Sequence, residues 1–93
     1  MPDLRVFETK EFLNKLAKLP KNYSESIYIK LKEYVYPQLK KEPFFGTNIK
    51  KLRGYSPDIW RYRIGKFRLF YFVDTKEHII YIISIDYRRD VYK

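Results

Sequence analysis

Residues 60–71, Trp-Arg-Tyr-Arg-Ile-Gly-Lys-Phe-Arg-Leu-Phe-Tyr, decide the fold because they predict a tight β-hairpin. Side chains alternate on both sides of Gly65-Lys66, and this pair predicts a two-residue turn. A two-residue loop fixes the register, so Arg63 faces Arg68 across the hairpin. Residues directly opposite each other share one face of the sheet. The predicted apolar face carries Trp60, Tyr62, Ile64, Phe67, Leu69 and Tyr71.

The other face of the hairpin carries Arg61, Arg63 and Arg68 beside Phe70. Like charges directly opposite each other in a sheet are destabilising, so three converging arginines favour an anionic partner. Phe72 lies on the same face, and the rings of Phe70 and Phe72 are able to stack on nucleobases. Packing under a loop, or contact with a protein partner, is the preferred explanation of these two rings.

The net charge of +9 is concentrated around the same hairpin. Residues 50–68 contain seven lysines and arginines but one acid, Asp58, so they hold a net +6 of the total +9. The seven basic residues are Lys50, Lys51, Arg53, Arg61, Arg63, Lys66 and Arg68. This asymmetry indicates binding to nucleic acid, to an acidic protein, or to both. Lys51 and Arg53 are explained equally well as solvated loop charges.

The length of 93 residues predicts a single domain that spans residues 1–93. A third of the residues are charged and no apolar run is long enough to cross a bilayer, which argues against a membrane protein. The start Met-Pro-Asp-Leu-Arg is unlike a signal peptide, so the expected location is the cytosol. The absence of cysteine fits a reducing compartment and excludes disulfides and thiolate metal sites. We expect neither a metal nor a cofactor.

Two helices are predicted between a short first strand at residues 4–7 and the hairpin. Thr9 is a candidate N-cap for the first helix, which ends at Pro20. Its apolar stripe is Phe12, Leu13, Leu16 and Leu19. The second helix begins near Asn22, and Pro37 closes or kinks it. Its buried face is predicted to be Ile27, Leu31, Tyr34 and Val35.

The remaining segments complete an α+β domain. Residues 40–58 are predicted to be a loop-rich connection, and residues 79–85 form an apolar strand that lies centrally in the sheet. The predicted order of elements is β-α-α-β-β-β. A two-helix hairpin is therefore expected to pack on one face of a small, mainly antiparallel sheet.

Three segments in this order resemble the RelE/ParE superfamily, the toxins of prokaryotic toxin–antitoxin pairs. They are Lys51-Leu-Arg-Gly54, the hairpin at residues 60–71, and Ile83-Ser-Ile-Asp-Tyr-Arg-Arg-Asp-Val-Tyr92. The resemblance covers nearly the whole chain and implies a RelE-like fold. RelE-like members are ribosome-dependent endoribonucleases that cut mRNA in the A site, whereas ParE-like members poison DNA gyrase.

The ending Arg-Arg-Asp-Val-Tyr resembles the RelE-like members, in which a basic residue and a tyrosine near the C-terminus serve cleavage. The resemblance implies a catalytic set of Arg61, Arg63, Arg68, Arg88 and Tyr92. The RNA-binding residues would be Lys50, Lys51, Arg53 and Lys66. The first two basic strand positions are often lysine in RelE but are arginine here. The only histidine, His78, is predicted to lie in a turn and matches no catalytic histidine of the relatives.

The reaction that this resemblance implies needs no metal. The RNA 2′-hydroxyl attacks the adjacent phosphorus in line and leaves a 2′,3′-cyclic phosphate, while arginines bind the phosphate oxygens bidentately. Arg88 would lie near the leaving 5′-oxygen, and Tyr92 would orient the target base or transfer a proton. Arginine is a poor general base, so the proton acceptor stays open between Tyr92 and Asp90. The ribosome is expected to position the mRNA.

The implied partners are mRNA, the ribosome with its rRNA, and a small acidic cognate antitoxin in a hetero-oligomer. The antitoxin is expected to cover the arginine face or to displace the C-terminal tail. Two alternatives stay open. One is a ParE-like inhibitor of DNA gyrase, and the other is an inactive toxin homologue that serves as antitoxin partner or co-repressor.

Overall fold

The computed structural model describes residues 3–87, which form one sheet with helices packed on one of its faces. The sheet of these residues has five strands in the order β1-β5-β4-β3-β2. The strands are β1 Arg5–Glu8, β2 Ile49–Lys51, β3 Trp60–Ile64, β4 Phe67–Asp74 and β5 Ile79–Tyr87. β1 runs parallel to β5, and the other three pairs are antiparallel. This mainly antiparallel sheet and the helices confirm the predicted α+β class.

The helices follow β1 without a long connection. They are α1 Lys10–Ala17, α2 Lys21–Lys30 and α3 Tyr36–Lys41, with a π-helical turn at Leu31–Val35 between α2 and α3. Thr9 is the N-cap of α1, as predicted, because its hydroxyl oxygen accepts a hydrogen bond from the backbone N–H of Phe12. Leu13 is 43% exposed, so only part of the predicted apolar stripe of α1 faces the core.

The second helix continues past Pro37, so of the two predicted alternatives, closure or a kink at Pro37, closure is wrong. Immediately before the proline, the N–H of Tyr36 bonds to the carbonyl of Leu31, five residues back. This π-helical turn widens the helix where proline lacks an N–H and would crowd an α-helical carbonyl. The chain therefore remains helical from Lys21 to Lys41.

The hairpin of β3 and β4 has the predicted register. Arg63 pairs with Arg68, and Arg61 pairs with Phe70. Gly65 has a φ of +58°, whereas Lys66 has no positive φ. A type II′ turn has a positive φ at its first central residue only, which is Gly65 here. A residue with a side chain at this position would strain the backbone.

A strand inside residues 40–58 was not predicted. β2 pairs antiparallel with β3, so the order of elements is β-α-α-β-β-β-β and not β-α-α-β-β-β. β2 has three residues, too few to show an alternating pattern, and the pairing with β3 alone defines it. It extends the arginine face by one strand.

The core lies between the helices and one face of the sheet, here called the inner face. Among residues 3–87, the buried side chains include no charged residue and no polar residue other than tyrosine. The helices contribute Phe12, Ile27, Leu31, Val35 and Leu39, and the sheet contributes Tyr62, Leu69, Tyr71, Ile80, Ile82 and Ile85. Phenols at the edge of the core find partners: Tyr71 Oη donates to the carbonyl of Pro43 at 2.6 Å. Glu8 accepts from Tyr28 at 3.1 Å and from Tyr36 at 2.8 Å.

β5 contains a β-bulge at Ile83. Phe70 pairs with Ser84 but Tyr71 pairs with Ile82, so Ile83 is an extra residue in β5. The hydroxyl of Thr9 donates to the carbonyl of Ile82 at 2.7 Å, and the carbonyl of Ile83 lies at 3.3 Å. The residue that begins α1 therefore also holds the bulge, which changes the side-chain alternation of β5 beyond it.

Candidate functional site

The second face of the sheet, here called the outer face, gathers four cations. Strand alternation points them away from the core, and the register brings them side by side. Lys50 pairs with Arg61, and Arg63 pairs with Arg68. Cα atoms of such pairs lie about 4.5–5.5 Å apart. We call these four residues, Lys50, Arg61, Arg63 and Arg68, the basic cluster.

Two rows of side chains cross the strands at the cluster. The first row runs through Lys50, Arg61, Phe70 and Ser84. The second row runs through Arg63, Arg68 and Asp86. Arg61 and Arg68 are half-buried, whereas Lys50 and Arg63 are exposed. The cluster therefore has two guanidinium groups partly withdrawn from water and two cations at its solvent side.

Arg68 has the most unusual surroundings of the four. Its Nε is buried and has no hydrogen-bond partner within residues 3–87. Its guanidinium carbon lies 5.9 Å from the centre of the Phe70 ring, a cation–π distance. A buried donor without a partner is costly, so this nitrogen favours an incoming acceptor such as a phosphate oxygen.

Asp86 is a carboxylate in the cluster that the sequence analysis missed. It pairs with Arg68 in the register, yet within the described part of the chain its ion pair is with Lys15 of α1. The Nζ–Oδ1 distance is 3.2 Å, and the side chains are 44% and 38% exposed. Lys15 thus pairs with Asp86 from α1, and among residues 3–87 no ion pair joins Arg68 to a carboxylate. The predicted strand ended at residue 85, because the bulge that aligns Asp86 with Arg68 leaves no signal in the sequence.

The predicted RNA-binding residues do not form one surface. Lys50 joins the basic cluster, but Lys51 pairs with Trp60 on the inner-face side and lies 3.9 Å from Asp58. Arg53 is exposed in the loop before β3, and Lys66 is exposed in the hairpin turn. Lys50 is therefore the one residue of the four that the sheet places beside the catalytic candidates.

The catalytic candidates Arg88 and Tyr92 lie outside the described residues, as does Asp90. The three strand arginines of the predicted catalytic set, Arg61, Arg63 and Arg68, are the members that the structure brings together. Lys15 and Asp86 complete the arrangement from α1 and from the end of β5.

The buried tyrosines support the fold and are unsuited to accept protons. Burial raises the pKa of Tyr36, and its hydrogen bond to Glu8 raises it further. Burial also raises the pKa of Tyr71, with the neighbouring Tyr62 adding to the effect. Both phenols therefore stay protonated at neutral pH. Within residues 3–87, Asp86 is the carboxylate that shares a cross-strand row with Arg63 and Arg68, so it is a candidate to accept a proton there.

Grooves open between the hairpin and the helices. One of about 690 Å³ is lined by Lys30, Tyr34, Val35, Asn48, Tyr62, Arg63, Ile64 and Gly65. Another, of about 300 Å³, lies between Tyr23 of α2 and the turn residue Lys66. Neither groove is lined by an acidic residue of the described chain, so both share the positive character of the hairpin.

Among residues 3–87, no helix has the length and hydropathy that a membrane span requires.

Residues 6–92 match the family described as the ParE toxin of type II toxin–antitoxin systems, parDE. No curated protein matches the sequence. In structure the chain is similar to the Mycobacterium tuberculosis toxin–antitoxin complex RelBE2, with a TM-score of 0.72 and 24% identity over 92% of this chain and 99% of that one. The Pyrococcus horikoshii RelE–RelB complex gives a TM-score of 0.63 and 27% identity over 96% and 99% of the two chains. The isolated Escherichia coli RelE toxin gives 0.66 and 25% over 96% and 90%.

Proposed function

We propose that this chain, which belongs to the ParE toxin family of type II toxin–antitoxin systems within the RelE/ParE superfamily, is a ribosome-dependent endoribonuclease that cleaves mRNA in the A site; its similarity to RelE toxins supports the proposal. The observation that carries the proposal is the basic cluster. Three arginines and a lysine lie in adjacent register on one sheet face, and one buried guanidinium nitrogen, Arg68 Nε, has no acceptor in residues 3–87. This is an arrangement that fits a phosphate.

The basic cluster supplies charge stabilisation for phosphoryl transfer. Attack of the 2′-hydroxyl on phosphorus adds negative charge to the non-bridging oxygens, and guanidinium groups bind such oxygens through two donors at once. Arg61 and Arg68 are half-buried, so their donors act where water screens them least. Arg63 and Lys50 would contact the flanking phosphates. In this proposal, the side chains of the basic cluster stabilise the developing charge themselves.

Asp86 is the proposed proton acceptor. Its carboxylate follows Arg63 and Arg68 in the same cross-strand row, so a phosphate held by these arginines brings a neighbouring 2′-hydroxyl toward Asp86. Carboxylates act as general bases when a substrate proton comes within hydrogen-bond reach. Lys15 holds Asp86 at 3.2 Å and thereby keeps it from pairing with Arg68. Asp90 and Tyr92 stay candidates for this role, and Arg88 and Tyr92 keep their predicted roles at the leaving oxygen and the target base.

The ribosome is required in this proposal because the basic cluster lies on an open sheet face of the described residues, and in-line attack needs a sugar held in a fixed orientation. We therefore expect negligible cleavage of naked RNA by the purified protein, and cleavage of mRNA in programmed ribosomes. Gel analysis of both substrates at equal protein concentration tests this directly. Rapid cutting of naked RNA would refute ribosome dependence.

The proposed protein partner is a small acidic antitoxin, and the proposed location is the cytoplasm. Two of the similar structures are toxins in complex with their antitoxins, and this chain carries a net charge of +9. An acidic antitoxin would neutralise the basic cluster by covering it or by displacing the C-terminal tail. The complex is proposed to be a toxin–antitoxin hetero-oligomer.

A second candidate function is inhibition of DNA gyrase, which the name of the matching family favours. An inhibitor that acts by binding alone has no need of a phosphate site with an adjacent carboxylate, and for this reason we rank the nuclease first. A toxin homologue that has lost activity and serves only as antitoxin partner is the third possibility.

One experiment separates these functions. Expression is induced briefly in a host without the antitoxin, and mRNA 5′ ends and chromosomal double-strand breaks are mapped in the same cells. New 5′ ends at in-frame codon positions are expected; they should be absent with Arg68→Ala and present with the control Lys76→Ala, which removes an exposed positive charge from the turn between β4 and β5. Intact mRNA with DNA breaks would establish gyrase poisoning instead, and growth without either lesion would establish an inactive homologue.

A further inference from the structure

A row of three aromatic rings crosses the outer face beyond the basic cluster. Phe72 of β4 pairs with Tyr81 of β5, which pairs in turn with Phe7 of β1. The Phe72 and Tyr81 rings are stacked, with centroids 4.8 Å apart and planes at 18°. Phe7 meets Tyr81 edge-on at 5.6 Å. We call these three residues the aromatic row.

The aromatic row has no part in the core. Its strand neighbours Tyr71, Ile80 and Ile82 are fully buried on the inner face, so the row points the other way. Phe7 is 54% exposed, and Phe72 and Tyr81 are half-buried. Three adjacent rings therefore lie on an open sheet face outside the core, with Phe7 exposed at one end, and apolar surface of this kind marks binding sites.

The row lies within reach of a polymer bound at the basic cluster. Arg68, Phe70 and Phe72 alternate along β4, so Phe72 is about 14 Å from Arg68 at a rise of about 3.4 Å per residue. Phe70 lies between them and already contacts the Arg68 guanidinium. The cations and the rings thus form one continuous surface, with charge at the β2–β3–β4 side and aromatic rings at the β4–β5–β1 side.

We propose that the aromatic row is a stacking platform for the nucleobases of single-stranded RNA whose phosphates lie on the basic cluster. This inference rests on the proposed function and deepens it by giving the path of the substrate. Base–aromatic stacking is tolerant of sequence, because every base has a π-face, and open sheet faces bind RNA in this way when aromatic side chains project from them. A single RNA strand carries phosphates and stackable bases side by side, as this surface carries cations and rings, which favours RNA over a protein segment.

Substitution of Phe7 tests the proposal. It is the open end of the row, so a base stacks on it without displacing another side chain, and its exposure means that truncation leaves the core intact. The probes are a short fluorescein-labelled single-stranded RNA and an abasic sugar–phosphate strand of the same length. Binding is measured by fluorescence anisotropy at low salt with the purified full chain.

The wild-type protein is expected to bind the base-bearing strand more tightly than the abasic strand. Phe7→Ala should weaken binding of the base-bearing strand by at least about fivefold and leave the abasic strand unaffected. Phe7→Tyr, which keeps a ring, should restore the preference. Phe45→Ala is the matched control, because Phe45 is 75% exposed and lies in the connection between α3 and β2, away from the aromatic row in the sheet.

Three results would overturn the platform: no binding of the base-bearing strand, equal affinity for both strands, or no effect of Phe7→Ala. Weaker assembly with a co-expressed antitoxin, at unchanged RNA affinity, would make the row a protein-docking surface and would also overturn it. Ribosome-dependent cleavage is measured separately with the same proteins. Intact cleavage with base-independent binding would reject the platform alone, whereas base-dependent binding without cleavage would reject the nuclease alone.

Discussion

At the scale of single residues, Arg68 combines partial burial, a guanidinium nitrogen without an acceptor in the described chain, and a position opposite Arg63 in the basic cluster. Arg68→Ala is expected to lower ribosome-dependent cleavage about 10²- to 10³-fold, the effect of removing one donor to a developing oxyanion. Its free energy of unfolding should change by less than about 1 kcal/mol, since the lost cation–π contact is offset by removal of an unsatisfied donor.

The control for Arg68→Ala is Lys76→Ala, which removes one exposed positive charge from the turn between β4 and β5. Cleavage of mRNA in programmed ribosomes and thermal unfolding of the free protein are measured for both variants. Equal loss of activity in the two variants would show that net charge matters and that the position of Arg68 does not.

Asp86 carries a second prediction at this scale. Asp86→Asn keeps the size of the side chain but removes its ability to take a proton, so the cleavage rate should fall about 10²- to 10⁴-fold with KM nearly unchanged. Lys15→Ala should have a smaller effect on rate, because an exposed ion pair contributes only about 0–1 kcal/mol to holding the carboxylate. Single-turnover cleavage on ribosomes measures both variants. Full activity in Asp86→Asn would assign the proton acceptor to another group.

At the scale of elements, the sequence predicts a helix or strand only where its own residues carry a clear pattern. The hairpin of β3 and β4 was predicted with its register because a two-residue turn and strict alternation leave one pairing. β2 was missed since its three residues carry no pattern of their own. The π-helical turn before Pro37 was missed because nothing in the composition distinguishes it from a helix end.

The residues of the candidate site differ in the same way in how far the sequence predicts them. Three of its arginines were found because they lie on the predictable hairpin, whereas Asp86 depends on the bulge at Ile83 and on Lys15 from a distant helix. The aromatic row joins three strands, one of which pairs across more than seventy residues of sequence, from Phe7 to Tyr81. Such long-range pairings are decided by the whole fold and leave no local trace.

Thr9 joins three elements and carries the prediction for this scale. Its hydroxyl caps α1 at Phe12 and donates to the carbonyl of Ile82 in β5. Thr9→Val keeps the shape of the side chain but removes both bonds, and should lower the free energy of unfolding by about 2 kcal/mol. Thr9→Ser keeps the hydroxyl and should remain within about 0.5 kcal/mol of the wild type, the range of mild substitutions. Urea unfolding of the three proteins measures this, and equal stabilities would contradict the role of the hydroxyl.

At the scale of the whole molecule, the sheet separates two tasks. Its inner face holds the core with the helices, and its outer face presents cations and aromatic rings. Substitutions on the outer face therefore test function without removing buried apolar contacts. The charge of +9 that the outer face helps to build is also what an acidic antitoxin would neutralise.

The inner face makes stability sensitive to alkaline pH. The pKa of Tyr36 and that of Tyr71 are raised by burial, whereas tyrosines of the unfolded chain titrate near pH 10. Between these values the unfolded state releases protons that the folded state keeps, so the free energy of unfolding falls as pH rises above about 10. The expected slope approaches about 1.4 kcal/mol per pH unit for each tyrosine. Urea midpoints from about pH 8 to 11 test this, with Tyr36→Phe expected to give a shallower fall.

The extra residue in β5 has a consequence for insertions and deletions. Removing one residue from a central strand normally turns every later side chain to the wrong face. Here, deletion of Ile83 would bring Ser84 directly after Ile82, with Ser84 still opposite Phe70 and Asp86 still opposite Arg68. The strand would become regular without changing which side chains face the core and which face the substrate. A single codon lost at this place should therefore be tolerated, whereas loss of a neighbouring one, such as that of Ile80, would turn the side chains between it and the bulge to the opposite face.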